Sequence, residues 1–287
     1  MNHLPMWRHF PLVASSIGLL AGGCLSSPVH HGTIVVTGYA RDRLVFAADS
    51  RIFIGQHKDD TACKITVLAP RAIFSAAGMA GQGDVGAPQW SVADEAKRAR
   101  DAILKNPDPS KANWSDLATV WSGAVSPHLR LAIAQDPNSV VQLPENQILV
   151  GSFGFVRTDG ALEIDEVTFR YDPRRSTPLV PFVESEIVPF KIDGDMKGSG
   201  YRAFGATEFT RELQRGETER AKKEMEIENQ IWHKGTPDVL ETLTMRVVEA
   251  SIIYSEKGKV GGPIDAIALN RSGEITWLRR KKNCPAN

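Results

Sequence analysis

Beyond residue 32 the chain alternates short apolar runs with tight turn signals. The runs 33–40 (TIVVTGYA) and 43–50 (RLVFAADS) flank Arg41-Asp42, and 62–68 and 72–77 flank Pro70-Arg71. Each pair reads as a hairpin, and the continuous apolar character predicts strands covered on both faces. Two helices follow. The first, 91–105, opens on a Ser cap with Glu95 near its first turn, and the second, 115–135, follows Asn113-Trp114. Strands 147–157 and 161–171 join through Thr158-Asp159-Gly160, a further hairpin signal.

From 172 to 195 the chain carries Pro173, Pro178, Pro181 and Pro189, which favours loops and edge segments over helix or central strand. Gly198-Ser199-Gly200 opens a short segment to Phe204. The stretch 207–230 is charged and helical with an interruption at Gly216, and 237–255 starts at Thr236-Pro237 with an apolar face through Leu240, Leu243, Val247 and Ile252. Strands 264–269 and 275–278 close the chain around residues 270–273. Strands, two helices, strands, two helices, strands: this order suits an α+β fold of two mainly antiparallel sheets packed face to face, with a helical layer outside each. Without a repeat or a low-complexity linker, one domain is the economical division.

Composition narrows the function classes. Of 287 residues, 34 are Lys or Arg and 34 Asp or Glu, and 42% are hydrophobic, so disorder is excluded and no basic excess exists for nucleic acid. The start of the chain reads differently. A short head with Arg8, the apolar run 11–20 and the small residues Ala21-Gly22-Gly23 resemble a signal peptide over residues 1–23, too short for the roughly 20 apolar residues of a membrane span. Cys24 then stands where a bacterial lipoprotein carries its acylated cysteine, although the leucine of Leu20-Ala21-Gly22-Gly23 is one place too far upstream. Lipidation and ordinary signal cleavage both remain open, and either implies export to the periplasm or cell envelope. There Cys63 and Cys284 can close a disulfide. No zinc-type cysteine or histidine spacing occurs, so neither metal nor cofactor is implied.

The candidate chemistry begins at Gly32-Thr33, where residues 24–32 form a linker or propeptide. A threonine at a mature N-terminus carries its own base, because the α-amine titrates near about 7.7–8.0 and lies beside the hydroxyl. A glycine before it permits the backbone strain of self-cleavage.

The stretch GTIVVTGYARDRLVFAADSRI resembles β-type proteasome subunits and their bacterial relatives among the N-terminal-nucleophile hydrolases. In that family a threonine follows glycine and an aspartate in an Ala-Asp-Ser-Arg context comes sixteen positions later, as Asp49 follows Thr33 here. Lys64 in Ala62-Cys63-Lys64-Ile65 fits the family lysine if the connecting hairpin is one residue shorter. The segment 76–81 resembles the strand end whose glycine N–H, Gly78 here, forms the oxyanion hole, a contribution of about 3–4 kcal/mol in comparable enzymes. Ala76 corresponds to the base of the first specificity pocket and would leave it roomy. The resemblance also implies a four-layer αββα sandwich over 33–280, with 281–287 as a tail. In these roles Lys64 lowers the pKa of the threonine and Asp49 orients the lysine; as purely structural groups the two would be a buried ion pair.

Downstream the likeness weakens. Gly198-Ser199-Gly200 resembles the family's Gly-Ser-Gly, whose serine, Ser199 here, bonds near the threonine amine. Gly261-Gly262-Pro263 resembles its Gly-Gly-Pro, but the usual Asp and Ser ahead of it are absent; Ser255 and Glu256 could substitute only through a loop shift. The implied activity is an exported, self-processing threonine amidohydrolase acting on a peptide or small amide, with ring-like homo-oligomers as in the relatives. Two alternatives stand beside it: a non-catalytic envelope protein, lipid-anchored at Cys24, that uses the fold for binding or assembly, and a related amidase acting on small molecules.

Other features read as bland. His30-His31 are solvated propeptide residues, the Gly-rich 81–86 lacks the ending of a phosphate loop, Asp193-Gly194-Asp195 is a turn, and the charge run 211–228 is a solvated helix face.

Overall fold

The computed structural model describes residues 29–32, 34–54, 57–68, 70–84, 87–105, 112–140, 143, 146–177, 180–192, 198–205, 208–255, 258–282 and 284. The signal segment, Cys24, Thr33 and Asp193-Gly194-Asp195 therefore lie outside the described residues. In chain order come β1 (Val29–Gly32), β2 (Ile34–Ala40), β3 (Arg43–Ala48), β4 (Ile52–Ile54), β5 (His57–Asp59), β6 (Ile65–Leu68), β7 (Ala72–Asp84) and β8 (Ala87–Ser91). Helices α1 (Val92–Leu104) and α2 (Asp116–Gln135) follow, then β9 (Gln147–Val156), β10 (Leu162–Tyr171), β11 (Val183–Ile192) and β12 (Gly200–Gly205). Helices α3 (Glu208–Arg215), α4 (Glu219–Lys234) and α5 (Val239–Tyr254) precede β13 (Asp265–Asn270) and β14 (Ile275–Arg279).

The strands form two antiparallel sheets. One runs β12-β2-β3-β13-β14, and the other β11-β10-β9-β7-β1-β4-β5, with β6 and β8 also paired to β7. The continuous apolar runs are explained by what covers them. Ile34, Val36 and Ala47 pack against Val247 and Val248 of α5, whereas Val35, Leu44 and Phe46 of the same strands face Ile73, Ala77 and Ile164 of the large sheet. On the outer face of the large sheet, Phe74, Phe153 and Phe169 surround Trp121 of α2 at ring separations of 5.1, 5.4 and 5.6 Å. Helices α1 and α2, the large sheet, the small sheet and α5 thus stack as successive layers around three apolar cores.

Strand β9 fits between layers because two glycines face opposite ways. A Cβ on Gly151 would stand 2.4 Å from the Trp121 indole, and one on Gly154 would stand 2.6 Å from the Phe46 ring.

Some elements follow the sequence expectation and others depart from it. The proline-rich segment forms the ten-residue β11 as an edge strand, in keeping with its prolines, and Pro189 is accommodated because one side of an edge strand needs no donor. Of the Gly-rich 81–86, residues 81–84 are the end of β7, which pairs with β8. His31 is buried in β1 instead of solvated. The charged helical stretch divides at Gly216, whose φ is +62°, and it is not wholly solvated. Glu224 of α4 is fully buried, with its Oε2 accepting from Arg246 Nη2 of α5 at 2.6 Å. Lastly, within the segment read as a tail, Lys281 bonds into the interior and Cys284 is buried.

Candidate functional site

Between Gly32 and Ile34 the chain passes from one sheet to the other. Gly32 ends β1 in the large sheet, paired with Ile52 of β4 on one side and Gly78 of β7 on the other. Ile34 begins β2 in the small sheet and lies opposite Gly205 of β12. Gly78 has φ +104°, and a Cβ there would stand 2.3 Å from the Ile148 carbonyl oxygen, so only glycine fits this point of β7.

Asp49, just past β3, is the centre of the polar network. Its Oδ1 accepts from the Ile34 N–H at 3.1 Å and from Lys64 Nζ, and its Oδ2 accepts from the Gly261 N–H at 2.9 Å. The carboxylate therefore bridges the lysine ammonium to the amide that follows Thr33. Both side chains are nearly inaccessible, at 4% exposure for Lys64 and 0% for Asp49. Burial pulls the Lys64 pKa below the usual lysine range, with Asp49 opposing the shift and Lys281 and Arg51 adding to it. A lysine that releases its proton more readily, held in one orientation by a carboxylate, has the properties of an acid–base group.

Arg51 supports this centre from the side. Its Nε and Nη2 donate to the two oxygens of Asp60 at 2.6 and 2.8 Å, and its Nη1 donates to the Val260 carbonyl at 3.2 Å and to that of Gly258. The 258–261 loop is thereby fixed against Asp49, and the Ser50 and Arg51 N–H groups donate back to the Gly261 carbonyl at 3.2 and 3.1 Å.

Beside the centre, a cavity of about 180 Å³ is lined by Lys64 and the apolar Ile52, Ala62, Phe74, Ala76 and Val92. A larger cleft of about 580 Å³ opens along β12, where Gly205, Val150, Glu166, Arg202 and Arg211 line it. In it Arg202 Nη2 donates to Glu166 Oε2 at 2.8 Å, while burial raises the Glu166 pKa against the pull of that guanidinium.

Gly32, Asp49, Lys64, Ala76 and Gly78 thus come together around the junction. Ser199 does not. Gly200 pairs with Tyr39 and Gly205 with Ile34, so Ser199 falls at the far end of β2, about 20 Å of strand from the junction at the usual rise per residue. The physical reason is direction: β12 runs antiparallel to β2 and brings its C-terminal end, not its start, to Ile34. Gly205 is the residue that sequence reading missed, and its signal was Gly205-Ala206-Thr207 immediately before a helix. Ser255 Oγ accepts from the Val260 N–H at 3.3 Å inside its own loop. Glu256 lies outside the described residues. Arg51, Asp60, Asp265 and Lys281 were also missed, because their partners are remote in sequence or loop-borne.

Cys63 and Cys284 form a disulfide, joining the residue before Lys64 to the end of the chain. Among the described residues no group of His, Cys, Asp and Glu could hold a metal ion, and no helix is long and apolar enough to cross a membrane. Compared with known proteins, the chain matches no family model, and no curated protein is significantly similar to it.

Proposed function

We propose that the chain is a self-processing threonine amidohydrolase of the N-terminal-nucleophile type, with the four-layer proteasome-like fold, exported from the cytoplasm. The observation that carries this reading is the junction itself. Gly32 lies opposite the positive-φ Gly78, and the amide after Thr33 bonds to the buried Asp49 that holds Lys64. In the first reaction the Thr33 hydroxyl oxygen bonds to the Gly32 carbonyl carbon and gives up its proton to a base. The Gly78 N–H stabilises the oxyanion. The Gly32–Thr33 C–N bond then breaks, the nitrogen takes a proton, and water hydrolyses the resulting ester to free the Gly32 carboxylate and the Thr33 hydroxyl. Thereafter the freed α-amine, titrating near about 7.7–8.0, serves as base for the same attack on a substrate amide.

Loss of β1 would leave the edges of β4 and β7 without their partner, a slot in which an extended peptide can pair by backbone hydrogen bonds. The adjoining cavity of about 180 Å³ favours an apolar side chain at the cleaved position. Export is supported by the disulfide, which persists in oxidising compartments.

One observation favours a second reading, an uncleaved and non-catalytic envelope protein. Val29 and His31 are 4% and 8% exposed, and β1 is paired on both sides like a permanent strand. Intact mass and N-terminal sequencing of protein from its native envelope fraction separate the two. A chain beginning at Thr33, with cleavage abolished in Thr33→Ala, is the expected result; a chain beginning at acylated Cys24 with Thr33 internal overturns it.

A further inference from the structure

We propose that Lys281 is a positioning residue for Lys64, carried on a C-terminal strap that Cys284 ties to Cys63; this rests on the reading of Lys64 as part of the reacting centre. The Lys281 side chain is 9% exposed and ends against the loops that hold both members of the Asp49–Lys64 pair. Its Nζ donates to Ser50 Oγ at 2.6 Å, next to Asp49, and to the Ala62 carbonyl, two residues before Lys64. Asp265, 2% exposed, fixes Lys281 in turn: its Oδ2 pairs with the ammonium at 3.0 Å and its Oδ1 accepts the Lys281 N–H at 2.9 Å. The disulfide ties the same segment to Cys63, so a hydrogen bond at Ala62 and a covalent link at Cys63 hold the two residues that precede Lys64.

Two buried ammonium groups this close are costly unless each has a carboxylate, and here each does: Asp49 for Lys64 and Asp265 for Lys281. The charged groups that face Lys64 are Asp49, Arg51 with its Asp60, and Lys281 with its Asp265. Lys281 thus acts in two ways. It clamps Ser50 to Ala62, which sets the distance between the Asp49 and Lys64 backbones, and its positive charge disfavours a proton on Lys64.

The test compares Lys281→Met, Lys281→Arg and the charge-neutral pair Asp265→Asn/Lys281→Met in the full-length chain. Cleavage of Gly32–Thr33 is followed by mass against pH, with melting temperature measured alongside. In parallel, the Lys64 side-chain nitrogen is titrated by NMR in the uncleavable Thr33→Ala background. Lys281→Met is expected to slow cleavage at least tenfold and to move the Lys64 titration to higher pH, because a neighbouring positive charge has gone. Lys281→Arg, which keeps charge and donors, should stay within about threefold of wild type. The double variant keeps the buried charge balanced and should still cleave slowly, since Ser50 and Ala62 have lost their donor. An unchanged Lys64 titration in Lys281→Met, or cleavage that falls only in step with melting temperature, would overturn the proposal. A wild-type chain that never cleaves overturns the hydrolase reading instead, and the titration still decides whether Lys281 tunes Lys64.

Discussion

Asp49 accepts from four groups at once: the Ile34 amide from β2, the Gly261 amide from a loop, the nearby Arg51 amide, and the Lys64 ammonium. Removing it leaves a buried cation and two orphaned donors, so Asp49→Ala is expected to cost about 3–5 kcal/mol of stability by urea denaturation. The deficit should shrink toward alkaline pH. The Lys64 pKa is already depressed by burial, and in the window between its folded and unfolded values the unfolded chain holds more protons, so stability rises with pH there. A deficit independent of pH up to 10 would show that Lys64 is not the uncompensated charge. Gly78 is constrained by backbone alone. Gly78→Ala would set its Cβ against the Ile148 carbonyl oxygen and force β7 away from β9, so cleavage at Gly32 should be lost together with several degrees of melting temperature.

At the scale of elements, the outer helices are held by both apolar and ionic contacts. Trp121 of α2 fills the space left by Gly151, and its indole N–H donates to the Val92 carbonyl at 3.0 Å, tying α2 to the start of α1. On the other side, Arg246 of α5 binds the buried Glu224 of α4 with two donors. Arg246→Met strands that carboxylate and should cost about 3–5 kcal/mol, whereas adding Glu224→Met should recover most of it, since apolar packing can replace a buried ion pair. Failure of the second substitution to rescue would mean that the arginine stem, not its charge, holds the helices. None of this was legible in the charge run 211–228, because the pairing depends on a residue 22 positions away on another helix. The interruption at Gly216 was legible, since a positive φ is what glycine supplies at a helix end.

Across the whole molecule, the disulfide closes a span of 221 residues, and its loss should lower the unfolding free energy by about 2–5 kcal/mol, read as a lower urea midpoint with dithiothreitol than without. Stability also carries a pH dependence from two buried carboxyls far from the junction. Burial, reinforced by Glu163, pushes the Asp165 pKa up to about 7, and burial together with Glu224 pushes that of Glu228 up to about 7. Both hold a proton in the fold that the unfolded chain has released, so their favourable contribution is full below the ordinary carboxylate range and is lost as pH rises toward 7. The melting temperature should therefore be higher at pH 5 than at pH 8, and Asp165→Asn with Glu228→Gln should flatten that slope.

Local pattern determined much of this protein. The apolar runs and their turns fixed the hairpin β2–β3, the helices and β9–β10, because periodicity and turn chemistry act between neighbours in the chain. The set Gly32, Asp49, Lys64 and Gly78 was legible through a family resemblance and not through periodicity; in the fold Gly32 ends β1, Asp49 follows β3, Lys64 precedes β6 and Gly78 lies within β7. Only the tertiary structure decided what meets across long separations. It set Gly205 instead of Ser199 beside Ile34, brought Gly261 to Asp49 across 212 positions, and brought Lys281 to Ser50 across 231. Such contacts follow from which strand edges and loop ends the packed sheets bring together, and no local preference encodes that.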